Sequence, residues 1–192
     1  LSHDFVPTRH EDGGQRENSD AQGWHAGAGV RVDLSDGHDI TVSGFVLDRS
    51  RGVPHSTTAL LPRYWRFSTW RAIGASIGHD GRYGARVETD ELAYVRVFDN
   101  LVDGYDDATY GSQESLRAVH SWYHDQVAGL RSRGSIRFPE VLDHLTLRWW
   151  LGAQFERHVE EDSAWPSFQR LVLTGAPEIE LALSPAWKIT VA

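Results

Sequence analysis

In the segment HLTLRWWLGAQFER, the apolar residues Leu145, Leu147, Trp149, Leu151, Ala153 and Phe155 fall on every second position without a break. Side chains of a strand alternate between two faces, whereas a helix returns to the same face every three or four residues. The alternation therefore outweighs the good helix propensity of Leu and Ala and predicts a long β-strand. Trp149 and Trp150 must then face opposite sides, so one core cannot bury both.

The same period recurs along most of the chain. Val30, Val32 and Leu34 alternate up to Asp36-Gly37, and Ile40 and Val42 resume the pattern into Phe45–Leu47. Asp-Gly between two such runs is a strong hairpin signal, because both residues tolerate positive φ. A second hairpin is expected from Ile73, Ala75 and Ile77, the turn HDGRYG, and Ala85, Val87 and Thr89. Thr57–Leu61, Tyr64–Trp70 and Glu91–Phe98 read as further strands. Leu171 and Leu173, then Ile179, Leu181 and Leu183, then Trp187, Ile189 and Val191 extend the antiparallel run to the C-terminal residues, with a short helical turn expected at Pro139-Glu140-Val141.

One segment follows a different spacing. Leu116, Val119, Tyr123, Val127 and Leu130 recur at helical intervals, with Ser112 as a cap, Arg131 and Arg133 near the C-terminal dipole, and Gly134 as a stop. This predicts one amphipathic helix over about 112–132. Residues 1–29 are polar and aperiodic, including EDGGQRENSD, and read as an N-terminal arm whose ordering requires a surface to lie on. The expected fold is mainly β: an antiparallel β-barrel or two-sheet sandwich of about nine or ten strands, with that helix, the arm at 1–29 and a single β-rich domain at 30–192.

Composition narrows the function classes. The 192 residues are 40% hydrophobic, which argues against disorder, and no apolar run is long enough for a helical membrane span. The opening LSHDFVPTRHEDGG has neither the basic nor the apolar stretch of a signal peptide. A net charge of -8, with Lys188 the only lysine, disfavours tracking of a nucleic-acid backbone. The sequence reads as soluble and acidic. Cysteine is absent, which removes disulfides, thiolate metal sites and cysteine nucleophiles without fixing a compartment.

No catalytic motif stands out. His120 and His124, four residues apart on the expected helix, would share a face and chelate a divalent metal given a third ligand. Asp103, Asp106 and Asp107 lie in an acidic, Gly-containing loop, DNLVDGYDDATYGSQE, with hard oxygen donors but no EF-hand spacing. Glu156 and His158 share a strand face and form an acid–base candidate with His120 and His124. No cofactor is implied beyond such a metal. With 8 Trp in the chain, Trp65, Trp70 and Trp150 are candidates for ligand or partner contact. The reading is a non-catalytic binding or assembly subunit acting through its arm and surface aromatics, with a protein partner or a homo-oligomer and a small-molecule or glycan ligand in view. The competing reading is an enzyme or small-molecule-binding protein with a barrel cavity.

Overall fold

The computed structural model describes residues 18–54, 63–116, 118–139, 145–161, 167–184 and 187–191. These build one antiparallel sheet of β1 (Ala21–Ser35), β2 (His38–Val53), β3 (Tyr64–Tyr83), β4 (Val87–Tyr105), β5 (Val119–Phe138), β6 (Leu145–Glu160), β7 (Ser167–Ser184) and β8 (Trp187–Val191). The strand order equals the sequence order, a pure meander. Among the described residues β1 pairs only with β2 and β8 only with β7, so the sheet is open, with two free edges. Neither a closed barrel nor a second sheet forms among the described residues.

The expected helix is a strand. Residues 119–136 pair with β4 on one side and residues 123–138 with β6 on the other. A spacing of four is also a multiple of two, so Val119, Tyr123 and Val127 fit one face of a strand as well as one face of a helix. Ser112 caps no helix; its hydroxyl donates to Asp106 Oδ2 at 2.5 Å within the β4–β5 loop. Among the described residues the strand count is eight, because Tyr64–Trp70 and Ile73–Ile77 are one strand, as are Val87–Thr89 with Glu91–Phe98 and Leu171–Leu173 with Ile179–Leu183. Ala21–Gly29, counted with the arm on composition, pairs in register with Ser43–Arg51. Residues 1–17 of the arm, the Thr57–Leu61 strand and the turn after Pro139 lie outside the described residues.

The first hairpin turns on Asp36-Gly37 as its sequence predicts, with Gly37 at φ +79°. Paired irregularities interrupt the ladder near the far end of the same strands, between Arg49 and Arg51 in β2 and between Phe67 and Thr69 in β3. Both mark one extra residue in β3, Ser68, since Ser50 pairs regularly with Gln22 of β1, and the alternation resumes beyond it.

The sheet lacks a hydrophobic core. Among the described residues, Ala72 and Val102 are the buried apolar side chains, and no large side chain is fully buried. Eight long strands in a single layer expose both faces, and the chemistry of those faces carries the rest of the argument.

Candidate functional site: the two faces of the sheet

The pairing register sorts side chains into two sets. On one face, the row Val30–Val42–Ile77–Ala93–Leu130–Ala153–Leu173 crosses seven strands with no polar group. The next row, Ala28–Gly44–Ala75–Val95–Ala128–Phe155–Leu171, repeats it. Apolar residues continue along β1 from Trp24 to Leu34, along β6 from Leu145 to Phe155 and along β7 from Leu171 to Leu181. Their exposure is large: Val30 64%, Leu130 63%, Leu171 64% and Leu173 70%. A soluble monomer rarely leaves so wide a contiguous apolar surface uncovered.

The belt has a direction. The hairpins at one end turn progressively later: His38 pairs with Gly81, Tyr83 with Val87, and Phe138 with Leu145. The stagger is about one residue per strand, 3.4 Å against a strand spacing of about 4.8 Å, which tilts the strands by roughly 35°. The apolar belt drifts with the hairpins, so it runs level with their turns rather than perpendicular to the strands. The connections at that end are residues 36–37, 84–86, 139–144 and 185–186. The two longest, 54–63 and 106–118, are both at the opposite end.

The other face is charged at its hairpin end and mixed further along, where Phe45, Leu47, Phe98 and Val127 stand among the charged groups. Asp33, Asp39, Asp80 and Asp90 stand directly opposite one another across β1 to β4, and Arg133 of β5 completes the row. Arg31 Nη2 donates to Asp39 Oδ2 at 2.6 Å and Arg133 Nη2 to Asp90 Oδ2 at 2.5 Å, while Asp39 Oδ1 is buried with no partner. Nearby, Arg148 Nη1 donates to Glu178 at 2.6 Å and Glu180 at 3.0 Å. These groups border a concavity of about 740 Å³ that also includes Trp150. Further along, a second concavity of about 660 Å³ contains Glu156, His158, Arg96 and Arg170.

Each residue singled out in the sequence has a definite place. His120 and His124 are on the apolar face but beyond the belt, at the long-loop end. His120 Nδ1 is 2.7 Å from Asp103 Oδ1, and His124 lies between Asp99 (2.7 Å) and Glu161 (3.2 Å). Four residues of strand separate the two imidazoles by about 13 Å, too far to share one ion. Glu156 and His158 face the polar side, where Arg170 and Gln154 bind Glu156, and Asp125 binds His158 at 2.5 Å. The four acid–base candidates are thus divided between opposite faces.

Asp103 accepts from Ser68 and Gln113, Asp106 from Ser112 and the backbone of Glu114 and Ser115, and Asp107 from Thr109. Those oxygens organise the loop. No group of three or more potential ligands converges on a metal position among the described residues.

Trp65, Trp70 and Trp150 all belong to the polar face. Trp70 packs edge-on against Phe67 (4.8 Å) and Phe98 (5.2 Å), and the Arg51 guanidinium lies 4.2 Å above its ring. Arg63 lies 4.9 Å above Trp65. Trp149, on the apolar face, donates from Nε1 to Ser132 Oγ at 3.1 Å and covers Gly134, where a Cβ would collide with its ring.

One constellation was invisible in the sequence. On the apolar face, His38 Nδ1 is 3.4 Å from His79 Nε2, Tyr83 meets His38 edge-on at 4.7 Å, and Glu91 is 3.9 Å from His79 Nδ1. His79, Tyr83 and Thr89 converge over Gly81. Three strands contribute these residues, and only the register brings them together.

No protein-family model matches the chain, and no curated protein matches it. Among solved structures it is similar to BauA, the ferric preacinetobactin receptor from Acinetobacter baumannii, at 13% identity and a TM-score of 0.50. The match covers 93% of this chain and 31% of that one, so the chain spans about a third of the receptor's length. The likeness shows a shared fold. No helix among the described residues is long and apolar enough to cross a membrane, a criterion that does not apply to strands.

Proposed function

We propose that this chain forms an arc of the wall of a membrane-spanning β-barrel receptor, with its apolar face against lipid and its polar face toward an aqueous lumen. The observation that carries the reading is the level belt of exposed apolar side chains on one face, backed by charged residues on the other. Leu171 to Leu181 covers about ten residue steps, roughly 34 Å along the strand and roughly 28 Å along the normal at that tilt, close to the hydrocarbon thickness that barrels span. Hairpins that are short at one end and long at the other support the same arrangement. Extended strands solve the membrane problem only when every backbone group is paired, so both free edges must be closed by further strands.

This departs from the soluble subunit expected from composition and keeps the non-catalytic binding role in a narrower form. The solved neighbour is named as a ferric preacinetobactin receptor, and the class of ligand receptor is carried over from it. Trp65, Trp70 and Trp150, with the arginines around them, would then contact solute from the lumen side.

Arginine substitutions test the orientation. Leu173→Arg places a charge in the belt and is expected to make insertion into lipid vesicles less favourable, by up to about 2–4 kcal/mol. Thr174→Arg, one residue along and facing the lumen, is expected to leave insertion nearly unchanged. Equal effects at the two positions would contradict the reading.

A further inference from the structure

The membrane-facing belt has one polar interruption, and it adjoins a groove. His79 and Glu91 occupy facing positions on β3 and β4, about four residues above their hairpin turn, so both lie roughly 11 Å inside the belt. Ser132 continues their row on β5. His38 lies at the turn-side rim of the belt and links the pair to the interface. Ionisable groups facing hydrocarbon are costly and require a polar partner. The pair does not satisfy itself: the Glu91 carboxylate is 3.9 Å from His79, beyond hydrogen-bond reach, and the Glu91 side chain is 54% exposed. The Thr89 hydroxyl beside them is buried with no hydrogen-bond partner.

A shallow groove of about 660 Å³ begins at His79 and Glu91 and crosses the belt obliquely. Ala93 and Ala153 make it low, while Ile77, Leu130, Leu151 and Leu173 border it. A polar notch at one end of an apolar trough is the negative image of an amphiphile, with a head at the notch and a tail in the trough.

We propose that this groove is a specific phospholipid site, selecting a headgroup with a primary ammonium. Glu91 supplies the carboxylate that an N–H donor requires, and the His38–His79 pair supplies N–H donors for the adjacent phosphate oxygens. The acyl chain lies along Leu130, Leu151 and Leu173. A quaternary ammonium carries the same charge but no N–H, so it loses the charge-assisted hydrogen bond to Glu91. The site rests on the membrane-wall reading, since a groove facing water would hold no lipid.

Native mass spectrometry of the detergent-purified protein, titrated with phosphatidylethanolamine or phosphatidylcholine, tests it. The wild type is expected to retain phosphatidylethanolamine at least about fivefold better, the discrimination of one charge-assisted hydrogen bond. Glu91→Gln, whose amide oxygen still accepts but carries no charge, is expected to reduce the preference while still retaining both lipids, and Leu151→Trp, which fills the trough, to lower retention of both. Equal retention of the two lipids by the wild type, or a preference unchanged in Glu91→Gln, would overturn the site. A protein that faces lipid at Leu173 yet holds neither phospholipid overturns the site alone; one in which Leu173 faces water overturns the wall reading with it.

Discussion

On the polar face, Asp33, Asp39, Asp80 and Asp90 are cross-strand neighbours in one unbroken row. Like charges directly opposite are destabilising by about 0.2–1 kcal/mol per pair. Arg31 and Arg133 offset this at Asp39 and Asp90, whereas Asp80 makes no hydrogen bond or ion pair among the described residues and feels Arg133 only at longer range. Asp80→Asn is therefore expected to raise stability by a few tenths to about 1 kcal/mol in urea unfolding. Asp39→Asn is expected to lower it by about 1 kcal/mol or more, because Arg31 loses its closest carboxylate. Nothing in the sequence marks this row. The four aspartates are scattered from 33 to 90, and only the register makes them adjacent. The division of Trp149 from Trp150 was legible, because it follows from period two alone.

At the level of elements, the sequence spoke clearly wherever one face met the apolar belt and misled where it did not. Leu145–Phe155 alternates through the whole belt and is strand β6 as read. In β5 the belt is represented mainly by Ala128 and Leu130 and then interrupted by Ser132 and Gly134. Alternation is lost there, and a spacing of four was read as helical. The strand is instead held by neighbours: Tyr94 covers Gly129 from β4, and Trp149 covers Gly134 from β6.

The loop that follows β4 was read as a metal candidate and is organised by its own carboxylates. Hydrogen bonds from Ser112, Ser115 and the backbone of Glu114 and Ser115 hold the Asp106 carboxyl far below the ordinary carboxylate range. A depressed carboxyl contributes order that is complete above its unfolded value, near 3.9, and is lost only as the pH falls through the lower folded value. Protection of the 106–115 loop from proteolysis should therefore persist from neutral pH down to about pH 4. Asp106→Asn is expected to lose that protection at every pH in this range. Loss of wild-type protection already near pH 5 would contradict the assignment.

For the whole molecule, mainly-β architecture was legible and its setting was not. Residue by residue, an alternating strand on a soluble core and one facing lipid have the same pattern. The difference lies in which side is filled, and among the described residues neither side is covered by protein. Mean composition hides it further, because the belt's apolar residues are balanced by the charged residues of the opposite face and of the strand extensions. Staggered hairpins, a level belt and unequal loops become visible only when eight strands are aligned.

The central claim is that the two faces of β7 meet different solvents. The chain contains no cysteine, so single cysteines from Leu171 to Leu181 report without background. Spin-labelled in lipid vesicles, they are expected to alternate strictly. Positions 171, 173, 179 and 181 should collide with oxygen dissolved in the bilayer, and 172, 174, 176 and 180 with a water-soluble nickel chelate. Chelate accessibility at every position, with no period of two, would contradict the account.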